Sequence, residues 1–523
     1  MSEKTAQTPE FTGWRALLWP IHAHETKKFL PMALIMFCIL FNYTALRDTK
    51  DALVVNTSGA AAITFLKLYC VTPAAILFVI IYAKLTNLFD REKLFYIIVA
   101  PFLVFFAAFG FLISPNLDTL HPSPVTVEGW KSSITFMQGF THGFIDLFAN
   151  WSYSLFYVLA EIWGSAMIAL LFWQFANQVT RLSESKRFYG LFAVIGNVAL
   201  IFSGQTVRFC SVDIKDYFPG KTDAELWQYS LYLLMGAVVI MGLVALGLYR
   251  WMHTSVLTDP LYYDPTEQEG KGKKKKSKPG LSESIKIIFS SPELGFITIL
   301  IMAYGVTINL VEVQWKEQLK LYAAGNKGVF NAFMGNFSTA TGIFTILFGL
   351  FLGSNILRKV SWFSAAVITP TVILFGGSTF FIFIFAREWA NSILESFSTT
   401  PIVAATFLGA TIVVISKAVK YCLFDPTKEM AYIPLDEELK SKGKAAVDVI
   451  GGRAGKAGGA FVQNMLVGIT AAKSVVEIAP IAFATFAIVS LLWIWAVGGL
   501  SKKVAAAVAA REAERQAAKA STV

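Results

Sequence analysis

The sequence predicts an all-α membrane protein of twelve transmembrane helices arranged as two six-helix halves. Three observations lead there. Charged residues make up only 15% of the chain, against about 25% in soluble domains. The deficit falls in long apolar runs, each near the roughly 20 residues that cross hydrocarbon. Lys and Arg collect in short connections on one side of these runs, and the Lys-rich stretch KGKKKKSK (271–278) divides them six and six. The net charge of +10 is thus a topology signal. No basic surface on a soluble domain is formed that would take nucleic acid.

The first six segments are expected near 29–46, 63–88, 94–114, 143–178, 187–209 and 227–250. The second six are expected near 293–314, 331–356, 361–386, 401–424, 444–472 and 477–500. Segment four is too long for one straight span and is expected to tilt or to extend beyond the bilayer. Segments five and eleven are the least hydrophobic. The chain then divides into an N-terminal segment (1–28), a first half (29–250), a linker (251–292), a second half (293–500) and a polar tail (501–523). Phe11, Trp14, Leu18 and Trp19 suit a short interfacial helix, and residues 1–28 hold no apolar signal core. Basic residues 27–28, 91, 93, 181, 186–187, 358–359 and 502–503 share a side with the linker, which places both termini in the cytoplasm. The linker itself reads as a solvated anchor, with lipid headgroup binding as the alternative.

Segments five and eleven resemble each other: ESKRFYGLFAVIGNVALIFSG (184–204) against LKSKGKAAVDVIGGRAGKAGG (439–459). Gly451 and Gly459 lie 255 residues after Gly196 and Gly204. Two such halves with a solute site between them are the common plan of alternating-access transporters.

Ionisable residues inside spans are costly and mark functional positions. The stretch 423–460 leads: a charged loop around Asp425, Lys428 and Glu429 precedes a Gly/Ala-rich helix with Lys444, Asp448, Arg453 and Lys456. Arg453 and Lys456 are three apart and share a helix face, where neighbouring glycines leave room for a bulky anion. Arg grips phosphate oxygens bidentately and Lys adds a mobile charge. GGRAGKAGG is no phosphate loop, since Ile450 and Ala457 stand where that pattern needs Gly and Ser or Thr. Glu161, in YVLAEIWG, needs a cation from another helix. Lys67 is either a substrate contact or a lysine snorkelling to the interface. Arg47, Asp48, Lys50 and Asp51 are either a mutually paired end of segment one or a gate. Glu312 loosely parallels Asp48, Lys417 and Lys420 end segment ten, and Asn197 follows Gly196 where it can donate to the same ligand. The four cysteines fit no metal or redox spacing, and no motif suits an enzyme, a metal or a cofactor. The residues alone indicate a transporter of an anion, with phosphate the favoured group.

FCILFNYTALRDTKDALVV, YVLAEIWGS, FWQFANQVT, NLVEVQWKEQLK, FMGNFSTATG and LFDPTKEMAYIPLDEELKSKGKAA resemble the nucleotide transporter family of plastids and obligate intracellular bacteria, above all its chlamydial-type ATP/ADP translocases. The resemblance covers nearly the whole chain. It implies a major-facilitator-like fold and exchange of external ATP for internal ADP across the inner membrane of an intracellular bacterium, with phosphate as a further candidate substrate. It assigns the family's four intramembrane charges to Lys67, Glu161, Glu312 and Lys456, and its fifth-helix asparagine to Asn197. Arg453 stands in a locally variable stretch. On this reading Lys67, Lys456 and Arg453 receive phosphates, while Glu161 and Glu312 hold those cations when the site is empty. Asp48 and Asp448 complete the set of charge pairs. A monomer suffices, and proton-coupled import or exchange of another organophosphate are the alternatives.

Overall fold

In the computed structural model, residues 19–134, 136–263, 291–432, 444–470 and 474–520 are described, with isolated positions 11, 13, 15 and 472. They form twelve long helices: α1 (Ala23–Ser58), α2 (Ala61–Leu88), α3 (Arg91–Leu120), α4 (Trp151–Val179), α5 (Leu182–Ser211), α6 (Asp223–Val256), α7 (Pro292–Tyr322), α8 (Lys327–Leu352), α9 (Trp362–Phe385), α10 (Pro401–Tyr432), α11 (Lys444–Thr470) and α12 (Ala479–Ala506). No strand occurs among the described residues. Eleven helices are long and apolar enough to span a membrane; α11 falls short, as its charged first half leads one to expect.

Local chemistry sets many of the ends. Pro292 and Pro401 occupy first turns behind the capping side chains of Ser291 and Thr400, and Asn326 and Ser361 cap α8 and α9. α1 stops where Gly59 takes φ 79°, a left-handed value favoured by a residue without Cβ.

Four boundaries differ from expectation. α1 continues through the charged tetrad 47–51 to Ser58, because ALVV (52–55) re-enters apolar packing, so the tetrad is not a helix end. α7 runs to Tyr322 and takes buried Lys316, Glu317 and Gln318 with it. The long fourth segment resolves at Asn150 into a separate helix, Gln138–Ala149, and α4 proper. Asp425–Tyr432 is helical and extends α10, where a loop was expected. Residues 433–443 lie outside the described part.

Helices α1, α4 and α6 pack mainly within one group that also includes α5, and α7, α9, α10, α11 and α12 form the other. The broadest contact between the two groups is α5 on α8, which is a glycine seam. Gly204 faces Gly335 so closely that a methyl at either would overlap the other's carbonyl, and a methyl at Gly342 would sit 2.6 Å from the Asn197 carbonyl oxygen. Small residues permit this backbone approach. Gly196 packs against Leu40 of α1 and Gly455 against Ile301 and Met302 of α7, so the two resembling helices lean on the first helix of their own group.

The groups meet unevenly along their length. Near Gly59, α2 touches α11 through the Thr64–Asn464 hydrogen bond, Gly139 abuts Val467 and Gly468, and the Ala60 N–H donates to Glu317 Oε2 at 2.8 Å. Beyond that end α2 stands clear, and none of Thr72–Leu88 is buried. The bundle is shut at the Gly59 end and parted at the Lys28 end.

Candidate functional site

The parted end leads to a charged cluster set inside the helices, nearer the shut end. α1 supplies Arg47, Asp48, Lys50 and Asp51 on successive faces of one turn, and the other helices bring the partners. Lys50 Nζ lies 2.9 Å from Asp51 Oδ1 and 3.0 Å from Glu161 Oε1 of α4. Asp51 Oδ2 meets Lys316 Nζ of α7 at 2.9 Å. Glu161, Lys50, Asp51 and Lys316 thus form one chain of alternating charge. Lys50 also stands 3.8 Å from the centre of the Tyr157 ring, a cation–π contact on its apolar side.

A second pair, Lys417 of α10 with Glu312 of α7, is 3.5 Å apart, and Lys417 lies 4.6 Å from the Phe337 ring centre. It mirrors the first with the signs reversed. In one group the first helix carries the lysine (Lys50) and the fourth the carboxylate (Glu161). In the other the first carries the carboxylate (Glu312) and the fourth the lysine (Lys417).

Asp48 is fully buried; it pairs with Arg47 at 3.2 Å and accepts from Ser338 Oγ of α8 at 2.5 Å. Arg47 Nη2 donates to the same hydroxyl oxygen at 2.7 Å. Asp48 therefore ties α1 to α8, while Glu312 has its own partner, and the loose parallel between the two ends there.

Lys67 differs from these. It sits in a widened helical turn, Leu66–Val71, within the electrostatic field of Glu161, Glu312, Lys316 and Lys50. Its side chain makes no ion pair or hydrogen bond among the described residues, so the expected clasp of Lys67 by Glu161 or Glu312 is corrected. Lys50 and Lys417 take those places, 3.0 Å from Glu161 and 3.5 Å from Glu312. Among the described residues the cluster holds five cations (Arg47, Lys50, Lys67, Lys316, Lys417) and four anions (Asp48, Asp51, Glu161, Glu312). Such a site favours an anion with several charged oxygens, which replaces carboxylates as partner without burying a charge alone.

Asn197 stands at the α5–α8 crossing, and its amide donates to the Ala193 carbonyl of its own helix at 2.9 Å. Asp448, Arg453 and Lys456 belong to α11, but their side chains lie outside the described part. Sequence reasoning reached Lys67, Glu161, Glu312 and Asp48. It underrated Lys50 and Asp51 and passed over Lys316. The signal for Lys316 was its place in EVQWKEQLK, four residues after Glu312 and therefore on the same helix face.

Long helices in two packed groups, meeting at a buried charge cluster open toward one end, define a polytopic solute transporter. The chain belongs to the TLC ATP/ADP transporter family, whose model matches residues 4–504. It is 44% identical to ADP,ATP carrier protein 1 of Chlamydia trachomatis, over 98% of this chain and 95% of that one. The carrier of the same name from Rickettsia bellii is 44% identical over 94% of this chain and 95% of its own. A chloroplastic ADP,ATP carrier of Arabidopsis thaliana is 43% identical over 86% of this chain and 70% of its own. Among solved structures, a bacterial homologue of the iron transporter ferroportin superposes with a TM-score of 0.54 at 12% identity, covering 91% of this chain and all of that one. The xylose transporter XylE from E. coli gives 0.51 at 10% identity, over 91% and 95%. These likenesses carry the fold alone.

Proposed function

We propose that this chain imports ATP in exchange for ADP by alternating access, with phosphate leaving alongside ADP. The observation that carries the reading is the state of Lys67, a cation inside the bundle with no ionic partner among the described residues, beside lysines already held by carboxylates. Triphosphate oxygens arriving there draw on Lys67 first and then on Lys50 and Lys417, releasing Glu161 and Glu312. Lys456 and Arg453 of α11 are the further cations this reading assigns to the phosphates. An empty site closes its own pairs and leaves Lys67 bare, which makes reorientation without ligand costly and couples influx to efflux.

About four negative charges enter on ATP and about three leave on ADP, so net charge moves against an inside-negative potential at about 2.3 kcal/mol per 100 mV. Phosphate leaving with ADP offsets or reverses that cost. The protein is a multi-pass membrane protein. The positive loops support a topology with both termini cytoplasmic, which makes the shut Gly59 end the outer one, in the inner membrane of an intracellular bacterium. A single chain encloses the path, so a monomer suffices.

The test is uptake of labelled ATP into proteoliposomes preloaded with ADP, phosphate, GTP or buffer. Uptake only against ADP or ATP is expected, with phosphate efflux accompanying ADP. Uptake into empty vesicles on a proton gradient would replace the exchanger with a proton-coupled importer.

A further inference from the structure

At the parted end lies a cavity of about 510 Å³ lined by Tyr82 of α2, Arg91 of α3 and Trp173, Gln174, Asn177 and Gln178 of α4. Its volume is within the range of small-molecule sites. Tyr82 and Tyr189 donate their hydroxyls to the side-chain oxygens of Gln174 and Asn177, the latter at 2.5 Å. Both amide oxygens accept in these bonds, and neither amide's N–H groups have a partner among the described residues. Gln178 Nε2 donates to the Tyr263 hydroxyl at 3.4 Å. Arg91 is exposed and has no ion-pair partner among the described residues, because Arg250 takes the neighbouring Glu92 at 2.6 Å. Among the described residues the wall contains no carboxylate. What remains unspent is a guanidinium, two amide donors and an indole held edge-on by Tyr189 at 5.1 Å. That is the chemistry of a phosphate with an attached aromatic base.

The cavity and the central cluster share helix α4. Along α4 the accessible positions Ser165, Ala169, Gln174 and Asn177 continue the face that carries Glu161, and the widened turn Gly164–Phe172 keeps them in line. Ser165 and Ala169, the exposed positions between Glu161 and Gln174, are small.

We propose that this cavity is a second nucleotide subsite, at the mouth of the path. Arg91 meets the phosphates of a nucleoside diphosphate or triphosphate there, Trp173 packs against the base, and Gln174 and Asn177 donate to phosphate or ribose oxygens. It captures nucleotide from the Lys28 side before passage to Lys67. This rests on the transport reading above.

The test compares Arg91→Gln and Trp173→Leu with the unaltered protein in right-side-out and inside-out membrane vesicles, reading the KM for ADP at each face. Both variants are expected to raise KM at the Arg91 face and so shift the ratio of the two KM values roughly tenfold. A ratio unchanged in both variants overturns the subsite. ADP is also titrated into the protein in nanodiscs of phosphatidylcholine with and without phosphatidylglycerol. An Arg91-dependent binding phase that ADP fills in either lipid upholds the proposal. A phase that phosphatidylglycerol alone removes assigns the cavity to a lipid headgroup and overturns it. If the unaltered protein exchanges no nucleotide, the transport reading falls, and the nanodisc titration still decides the cavity.

Discussion

Lys316 of α7 and Asp51 of α1 form an ion pair of 2.9 Å whose side chains are 8% and 2% exposed, joining the leading helices of the two groups at the centre of the protein. Asp51 also compensates Lys50, so one carboxylate restrains two cations. Removing one member of a buried pair costs about 3–5 kcal/mol, since the other charge stays desolvated. Asp51→Asn is expected to lower the unfolding temperature in detergent strongly and to abolish exchange. Lys316→Met, which leaves Asp51 with Lys50, is expected to cost less stability. Equal losses would mean that Asp51 does not serve both lysines.

The mirrored pairs make a second prediction. Glu161→Gln leaves Lys50 with Asp51 alone and Glu312→Gln removes the carboxylate beside Lys417, adding one net positive charge each to the site. Tighter nucleotide binding with slower exchange is expected, because a cation without its carboxylate holds phosphate in preference to releasing it. Binding by calorimetry and turnover in proteoliposomes separate the two effects, and weaker binding in both variants would refute the carboxylates' role as stand-ins for ligand.

Lys456→Gln is expected to abolish nucleotide binding, whereas Arg453→Gln weakens it about tenfold, in keeping with the loss of one charge-assisted hydrogen bond. An unchanged dissociation constant in Lys456→Gln would remove α11 from the site.

At the shut end, Glu317 accepts from the Ala60 N–H and lies 3.8 Å from Lys320 Nζ. Glu317→Gln weakens this clasp between α7 and the start of α2. Spin labels at Thr57 and Leu321 are expected to gain a longer-distance population, and an unaltered distribution would show that the glycine seam alone keeps the end closed.

His121 stands outside the spans, with Nε2 2.8 Å from Ser152 Oγ. Burial, and then the charge of Lys327, hold its pKa below the usual 6.5. A depressed histidine favours the folded state when neutral, so its contribution is complete above about pH 6.5 and is lost as pH falls. Thermal unfolding from pH 7.5 to 5 is expected to show a decline that His121→Asn flattens.

Much of the architecture was legible because hydrocarbon imposes a length and a polarity on each span. The twelve helices, the poor hydropathy of α11 and the need of Glu161 for a cation from another helix all follow from that constraint. The boundaries at Ser58 and Tyr322 were not legible. A run such as RDTKD ends an apolar window, and only when opposite charges arrive from other helices does continuing the helix cost less than ending it.

The sequence by itself determined that the protein is a helical transporter with charges buried in its spans, because composition and spacing act along one dimension. Tertiary structure alone decided which charges satisfy which. Lys50 and Lys417 claim the carboxylates and Lys67 is left without an ionic partner among the described residues, since pairing depends on which side chains the packed helices bring within reach. Coulomb attraction between desolvated groups falls within a few ångströms, and that distance is set by glycine seams and helix contacts hundreds of residues apart.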